Sequence, residues 1–175
     1  MSQRGSGYQR KRNDAYQTPA WVTGVLCQYL CPIDGCVWEP ACGKGQMVRA
    51  LRAGGFKVIG TDLATGTDFL RTSKLPEGTS AVITNPPFGM AEAFINHALN
   101  LTRPHKGLVA MLTRIDYDSA STRRYLFAER AFCMKIVLTK RIIWFAKKGA
   151  APSFNHQWLL WNWQHKGPPT VAYGP

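Results

Sequence analysis

Three short apolar runs in this chain each stop at residues unsuited to extending a strand, and each stop opens a turn. Gly35–Ala41 runs into Gly43-Lys44-Gly45, and a short helix over Gln46–Ala53 follows, ended by Gly54-Gly55. Phe56–Leu63 is a second strand with Asp62 at its far end, and residues 64–79 are loop-rich, with a helical turn at Asp68–Arg71. Ser80–Thr84 is a short buried strand that leads into Asn85-Pro86-Pro87-Phe88-Gly89. Strands separated by helical connections of this kind restrict the fold to an α/β sheet, mostly parallel and doubly wound, whose ligands sit at the carboxyl ends of the strands.

The remaining pattern continues the alternation. Thr18-Pro19 opens a first helix, with Thr18 as N-cap and Pro19 at the first helical position, and Cys31-Pro32 stops it. A helix covers Ala91–Leu101, a strand Gly107–Thr113 and a further helix Ser119–Arg130. Lys135–Thr139 and Arg141–Phe145 have strand character, and Gln157–Trp163 is the last strand. Only a loop at 146–156 joins the last two strands, so they pair antiparallel at one edge. The spacing predicts a basic arm over 1–14, one domain over 15–165 and an irregular Gly/Pro-rich tail over 166–175.

Composition narrows the partners. Lys+Arg total 22 against 10 Asp+Glu, a formal charge of +12, which suits a polyanion, most simply nucleic acid, although acidic lipid also attracts basic chains. The N-terminus is basic but no apolar stretch of a secretory signal follows it, and no apolar run approaches the roughly 18 residues of a membrane span. Cys27, Cys31, Cys36, Cys42 and Cys133 contain no CxxC pair and no neighbouring His. They read as small apolar side chains of a reducing compartment, and no metal site is expected.

Three constellations carry chemistry. In Glu39-Pro40-Ala41-Cys42-Gly43-Lys44-Gly45 the glycines admit a ligand to the backbone, but an acidic residue just before the loop repels phosphate and suits a cationic group instead. Asp62 sits where a carboxylate accepts from ribose hydroxyls, or caps a turn. Asp68-Phe69 offers a carboxylate to an adenine amino group, or a cap to a helical turn. In Asn85-Pro86-Pro87-Phe88 two prolines fix the backbone and remove two donors. The Asn85 side-chain oxygen and the Pro86 carbonyl can then both accept from one exocyclic amine, aiming its lone pair at a methyl donor with no strong base, while Phe88 stacks on a flat substrate.

Taken in order, these residues resemble motifs I to IV of the S-adenosylmethionine-dependent amino-methyltransferases, and Tyr16-Gln17-Thr18-Pro19 resembles the extra N-terminal motif of adenine-N6 DNA methyltransferases. The resemblance covers about residues 14–163. It implies a Rossmann-like methyltransferase fold and S-adenosylmethionine as cofactor. The cofactor-binding residues it implies are Tyr16, Thr18, Glu39, Ala41, Gly43, Gly45, Asp62, Leu63, Asp68, Phe69 and Asn85, and the catalytic residues are Asn85, Pro86, Pro87 and Phe88. Two departures stand out. Phe88 replaces the Tyr more common in DNA enzymes, and Phe also occurs in rRNA guanine-N2 enzymes. No separate target-recognition domain follows the core, as in small phage or mobile-element types acting in the cytoplasm of a bacterium or phage-infected host.

On the substrate side, a base within a duplex has to be flipped out and stacked. Phe88 serves that purpose, with Lys147, Lys148, Pro152 and Phe154 in the loop before the last strand. Arg123-Arg124 and Arg10-Lys11-Arg12 are expected on phosphates. His156 reads as structural or substrate-adjacent, and Trp158, Trp161 and Trp163 as packing. The expected activity is methylation of adenine N6 in DNA with relaxed sequence preference. RNA bases, protein glutamine and a catalytically idle nucleic-acid-binding module are the alternatives.

Overall fold

The computed structural model describes residues 16–144 and 154–175. Their strands are β1 (Cys36–Glu39), β2 (Lys57–Gly60), β3 (Thr79–Thr84), β4 (Leu108–Arg114), β5 (Phe132–Leu138), β6 (His156–Asn162) and β7 (Thr170–Gly174), in the sheet order β2-β1-β3-β4-β6-β5-β7. Pairing is parallel from β2 through β4, antiparallel on both sides of β6, and parallel between β5 and β7. The chain leaves β1 towards β2 and returns to its other side with β3, so the crevice of the sheet opens at the carboxyl ends of β1 and β3.

Side-chain alternation divides the core in two. Val37, Ala81, Ile83, Ala110, Leu112, Ile136, Trp158 and Leu160 face the layer of α1 (Ala20–Cys27) and α2 (Gln46–Ala53). Trp38, Val82, Val109, Met111, Leu159 and Trp161 face α3 (Ala91–Thr102) and α4 (Arg124–Ala128). In α3 the buried residues Ala91, Phe94, Ile95, Ala98, Leu99 and Thr102 recur at helical spacing and form one stripe. The late tryptophans pin helices on both faces. Trp158 Nε1 donates to Val22 O at 3.0 Å, Trp161 Nε1 to Leu126 O at 2.8 Å, and Trp163 Nε1 to Thr102 Oγ1 at 3.2 Å. Each fully buried large apolar side chain contributes about 1.5–3 kcal/mol.

Four expectations are corrected. The helix expected to open at Thr18-Pro19 starts at Ala20, with Pro19 at the N-cap and no side-chain cap. It ends at Cys27 rather than Cys31-Pro32, because Gln28 and Tyr29 amides turn back onto Val25 and Leu26 carbonyls, and Tyr29 Oη donates to Tyr173 O at 3.2 Å. Only Arg124–Ala128 of the expected Ser119–Arg130 helix is α-helical. Ahead of it, Ser119 Oγ donates to Asp116 O and Arg123 Nε to Tyr117 O, which satisfies the backbone in two 3-10 turns. Arg141–Trp144 carries no strand, and Phe145 lies outside the described residues. The tail expected to be irregular forms β7, which pairs with β5 from Met134↔Thr170 to Leu138↔Gly174 and so lies outside the β5–β6 antiparallel pair.

Candidate active site

The site begins where β1 stops. Gly43 (φ 50°) and Gly45 (φ 75°) hold left-handed backbone between β1 and α2, and Gly45 is the N-cap of α2. A Cβ on Gly43 would collide with Gln17 Nε2, so the missing side chain is the space that Gln17 fills. Gln17 Oε1 accepts from the Lys44 amide at 3.1 Å, which straps the N-terminal segment across the turn.

Asp62 locks the turn from the other side. Its Oδ2 accepts from Gly43 N and its Oδ1 from Ala64 N, both at 2.8 Å. It thus caps the short helical turn Leu63–Thr65 while facing the crevice. Asp68 caps Phe69–Arg71 through Leu70 N at 3.1 Å, and its other oxygen lies 3.3 Å from Arg71 Nε. Each carboxylate therefore caps a turn, and each also lines the crevice. Phe69 is buried between Trp38, Phe94 and His97, with ring centroids 4.8–5.1 Å away.

Glu39 ends β1 with 1% of its surface exposed. Thr84, on the adjacent β3, donates to its Oε1, and the Ala41 amide donates to the same atom at 3.2 Å. Oε2 is buried with no partner. Burial pushes the carboxyl up to about 8, further raised by nearby Asp62, against the downward pull of the Thr84 and Ala41 hydrogen bonds.

Asn85 follows β3. Its Nδ2 donates to Thr18 Oγ1 at 3.2 Å, and its Oδ1 is buried without a partner. Pro86 is buried, and Pro87 carries the chain into the turn Phe88–Met90 and then α3. The Phe88 ring lies 6.0 Å from Tyr16, 6.3 Å from Trp144 and 6.1 Å from His156. His156 is 1% exposed, and burial pushes its imidazole down to about 4, so it is neutral at physiological pH.

These elements enclose a pocket of about 980 Å³. Of the expected site residues, Tyr16, Thr18, Glu39, Ala41, Gly43, Asp62, Leu63, Asp68, Phe69, Asn85 and Pro87 line it. Gly45, Pro86 and Phe88 do not: Gly45 is the N-cap of α2, and Phe88 belongs to an aromatic cluster with Tyr16. Sequence reasoning missed Gln17, Lys44, Met47, Thr67, Met90 and Phe94 in the lining. Gln17 had a signal, its place between two expected site residues, whereas Phe94 and Met47 read only as helix core.

The expected phosphate contacts divide. Arg123 is occupied: its Nε donates to Tyr117 O at 2.8 Å and its guanidinium lies 4.2 Å over the Tyr117 ring. Arg124 is exposed. Phe154 lies under the Arg114 guanidinium at 3.9 Å. Arg10, Lys11, Arg12, Lys147, Lys148 and Pro152 lie outside the described residues. Among the described residues no group of three or more His, Cys, Asp and Glu can hold a metal ion, and no helix is long and apolar enough to cross a membrane.

No family model and no curated protein matches the chain. Solved structures do. A candidate class I S-adenosylmethionine-dependent methyltransferase from Listeria monocytogenes superposes with TM-score 0.64 at 16% identity, over 97% of this chain and 67% of that one. A candidate RNA methyltransferase from Pyrococcus horikoshii gives 0.63 at 18% identity, over 91% of both chains. The type I restriction-modification methyltransferase subunit from Streptococcus thermophilus gives 0.61 at 15% identity, over 86% of this chain but only 45% of the subunit. The chain therefore has the class I methyltransferase fold, a mostly parallel seven-stranded sheet carrying an antiparallel pair.

Proposed function

We propose that this chain is an S-adenosylmethionine-dependent methyltransferase that modifies the exocyclic N6 amine of adenine in DNA. The observation that carries this reading is the Asn85 amide. Its nitrogen is held by Thr18 and its carbonyl oxygen is buried without a donor, at the carboxyl end of β3 beside the pocket. An unpaired buried acceptor is costly unless a ligand satisfies it, and an exocyclic amine brings the missing donor.

The cofactor fits the residues present. Glu39 Oε2, buried and unpaired, suits an ammonium group, which would draw the carboxyl back to its ionised form. Asp62 keeps lone pairs for ribose hydroxyls beyond its two backbone donors, and Asp68 and Phe69 also line the pocket. When bound, S-adenosylmethionine supplies an electrophilic methyl group. The chain's own part is positioning. Asn85 Oδ1 and the Pro86 carbonyl accept from the target amine, withdraw its lone pair from ring conjugation and aim it, and Phe88 stacks on the base. No general base is needed before transfer.

A second reading, methylation of an RNA base, is supported by Phe88 in place of Tyr and by the likeness to the Pyrococcus horikoshii protein over nearly the full length of both chains. Protein glutamine suits the charge of +12 less well. The test is transfer of a labelled methyl group to DNA, RNA and protein in parallel, followed by nucleoside analysis. Label in N6-methyladenine from DNA supports the proposal, and label confined to RNA or protein overturns it.

A further inference from the structure

Thr18 precedes the N-cap of α1, yet its side chain caps nothing. It is 4% exposed, and its hydroxyl accepts from Asn85 Nδ2 across 67 residues of sequence. We propose that Thr18 is a positioning residue: it sets which end of the Asn85 amide faces the target amine, and methyl transfer depends on it for that reason. This rests on the reading of Asn85 as the acceptor for that amine.

A primary amide has two ends of nearly the same shape, and only the carbonyl end can accept. With Nδ2 donating to Thr18, the unpaired end is Oδ1, the one the chemistry requires. In the flipped amide the Thr18 hydroxyl would have to turn and donate to Oδ1. The buried orphan would then be an NH2 group, and orphaned donors are rarer in folded proteins than orphaned carbonyls. A flipped amide would also meet the target amine donor against donor.

The position of Thr18 is itself fixed from both sides. Gln17, the preceding residue, is bound to the Lys44 amide and fills the space a Gly43 side chain would need. On the other side, α1 is anchored by buried Val22, whose carbonyl accepts from Trp158. One short strap therefore touches the glycine turn with one residue and orients the acceptor amide with the next.

The test compares the full chain with Thr18→Val, which keeps the shape and removes the acceptor, and Thr18→Ser, which restores it. Thr18→Val is expected to lower kcat by about 10- to 100-fold. KM for nucleic acid should stay within about twofold, any loss of cofactor affinity should be smaller than the loss in kcat at saturating cofactor, and Thr18→Ser should recover most of the rate. A Thr18→Val kcat matching wild type overturns the proposal, as does a Thr18→Ser variant no better than Thr18→Val, or a loss lying wholly in cofactor affinity. Hydrogen exchange at the Asn85 side-chain NH2, assigned by its absence in Asn85→Ala, is a second readout that wild type alone can give. Slow exchange supports the tie to Thr18, and exchange as fast as an exposed asparagine overturns it. Wild type that methylates no DNA, RNA or protein overturns the reading of the site, and this proposal with it. Wild-type transfer matched by Thr18→Val overturns this proposal alone.

Discussion

The hydroxyl of Thr84 donates to Oε1 of Glu39, joining the ends of two neighbouring strands and leaving Oε2 of the same carboxyl buried without a partner. One oxygen thus holds the side chain in place, while the other is left without a partner in a residue that lines the pocket. A cation placed beside the unpartnered oxygen would favour the ionised carboxyl.

Cofactor affinity should therefore depend on pH. Glu39 is protonated in the free protein below about pH 8 and ionised when paired with an ammonium group, so binding releases a proton. Affinity is expected to rise from about pH 6 to about pH 8. Glu39→Gln should lose about 1.5–3 kcal/mol of binding, roughly 10- to 150-fold, and most of that rise. Calorimetry in buffers of different ionisation enthalpy counts the proton released. Wild-type affinity independent of pH would contradict the pairing.

The same carboxyl makes stability depend on pH with a definite sign. Folded Glu39 keeps its proton to about pH 8, whereas the unfolded side chain releases it near 4.5. The native state binds more protons across that window, so stability falls as pH rises through it. Thermal unfolding of the free protein should show Tm declining between about pH 5 and pH 8, and Glu39→Gln should flatten the decline. Parallel profiles for the two proteins would remove Glu39 as the cause.

Asp62 holds two backbone amides, one on the glycine turn and one on its own following turn. Asp62→Ala should weaken cofactor binding by about 1.5–3 kcal/mol and also lower Tm, because both amides lose their acceptor. Unchanged calorimetric affinity would take Asp62 out of the cofactor site.

Local chemistry explains which parts were legible in the sequence. The bounds of the helix Gln46–Ala53 are legible because Gly45 and Gly54 flank it in the sequence itself. Glu39, Asp62 and Asn85 were legible because each stands where a strand stops, and topology brings those stops together. β7 was hidden because Pro168-Pro169 reads as a breaker, and the strand is made by pairing with β5 rather than by its own pattern. The shortened α4 reflects polar side chains bonding to nearby backbone, a competition that periodicity ignores. The tie between Thr18 and Asn85, and the cluster of Phe88 with Tyr16, Trp144 and His156, join distant segments and carry no local signal.

Asn85→Ala should abolish methyl transfer and cost much less in cofactor affinity than in turnover, since in the proposed reading the amide accepts from the target amine. The expected loss in turnover is at least about 100-fold, comparable to deleting one charge-stabilising contact in other active sites. A variant that keeps more than about half its turnover would make the Asn-Pro-Pro-Phe segment a structural turn.

The two arginines at the start of α4 should behave differently on nucleic acid. Arg124 is exposed, whereas Arg123 is held by the Tyr117 carbonyl and ring. Arg124→Ala should weaken duplex binding and reduce the salt slope by about 0.9 log units per log unit of salt, the counterion release for one phosphate. Arg123→Ala should chiefly lower Tm, because its side chain satisfies the carbonyl that opens the 3-10 turns ahead of α4. Phosphate contacts carry no direct sequence information, so neither change should alter which bases are methylated. Methylation mapped across a mixed-sequence genome is then expected to show relaxed preference around the target base. Modification confined to one motif of about four or more defined bases would mean that side chains read base edges directly, and would overturn a phosphate-led mode of binding.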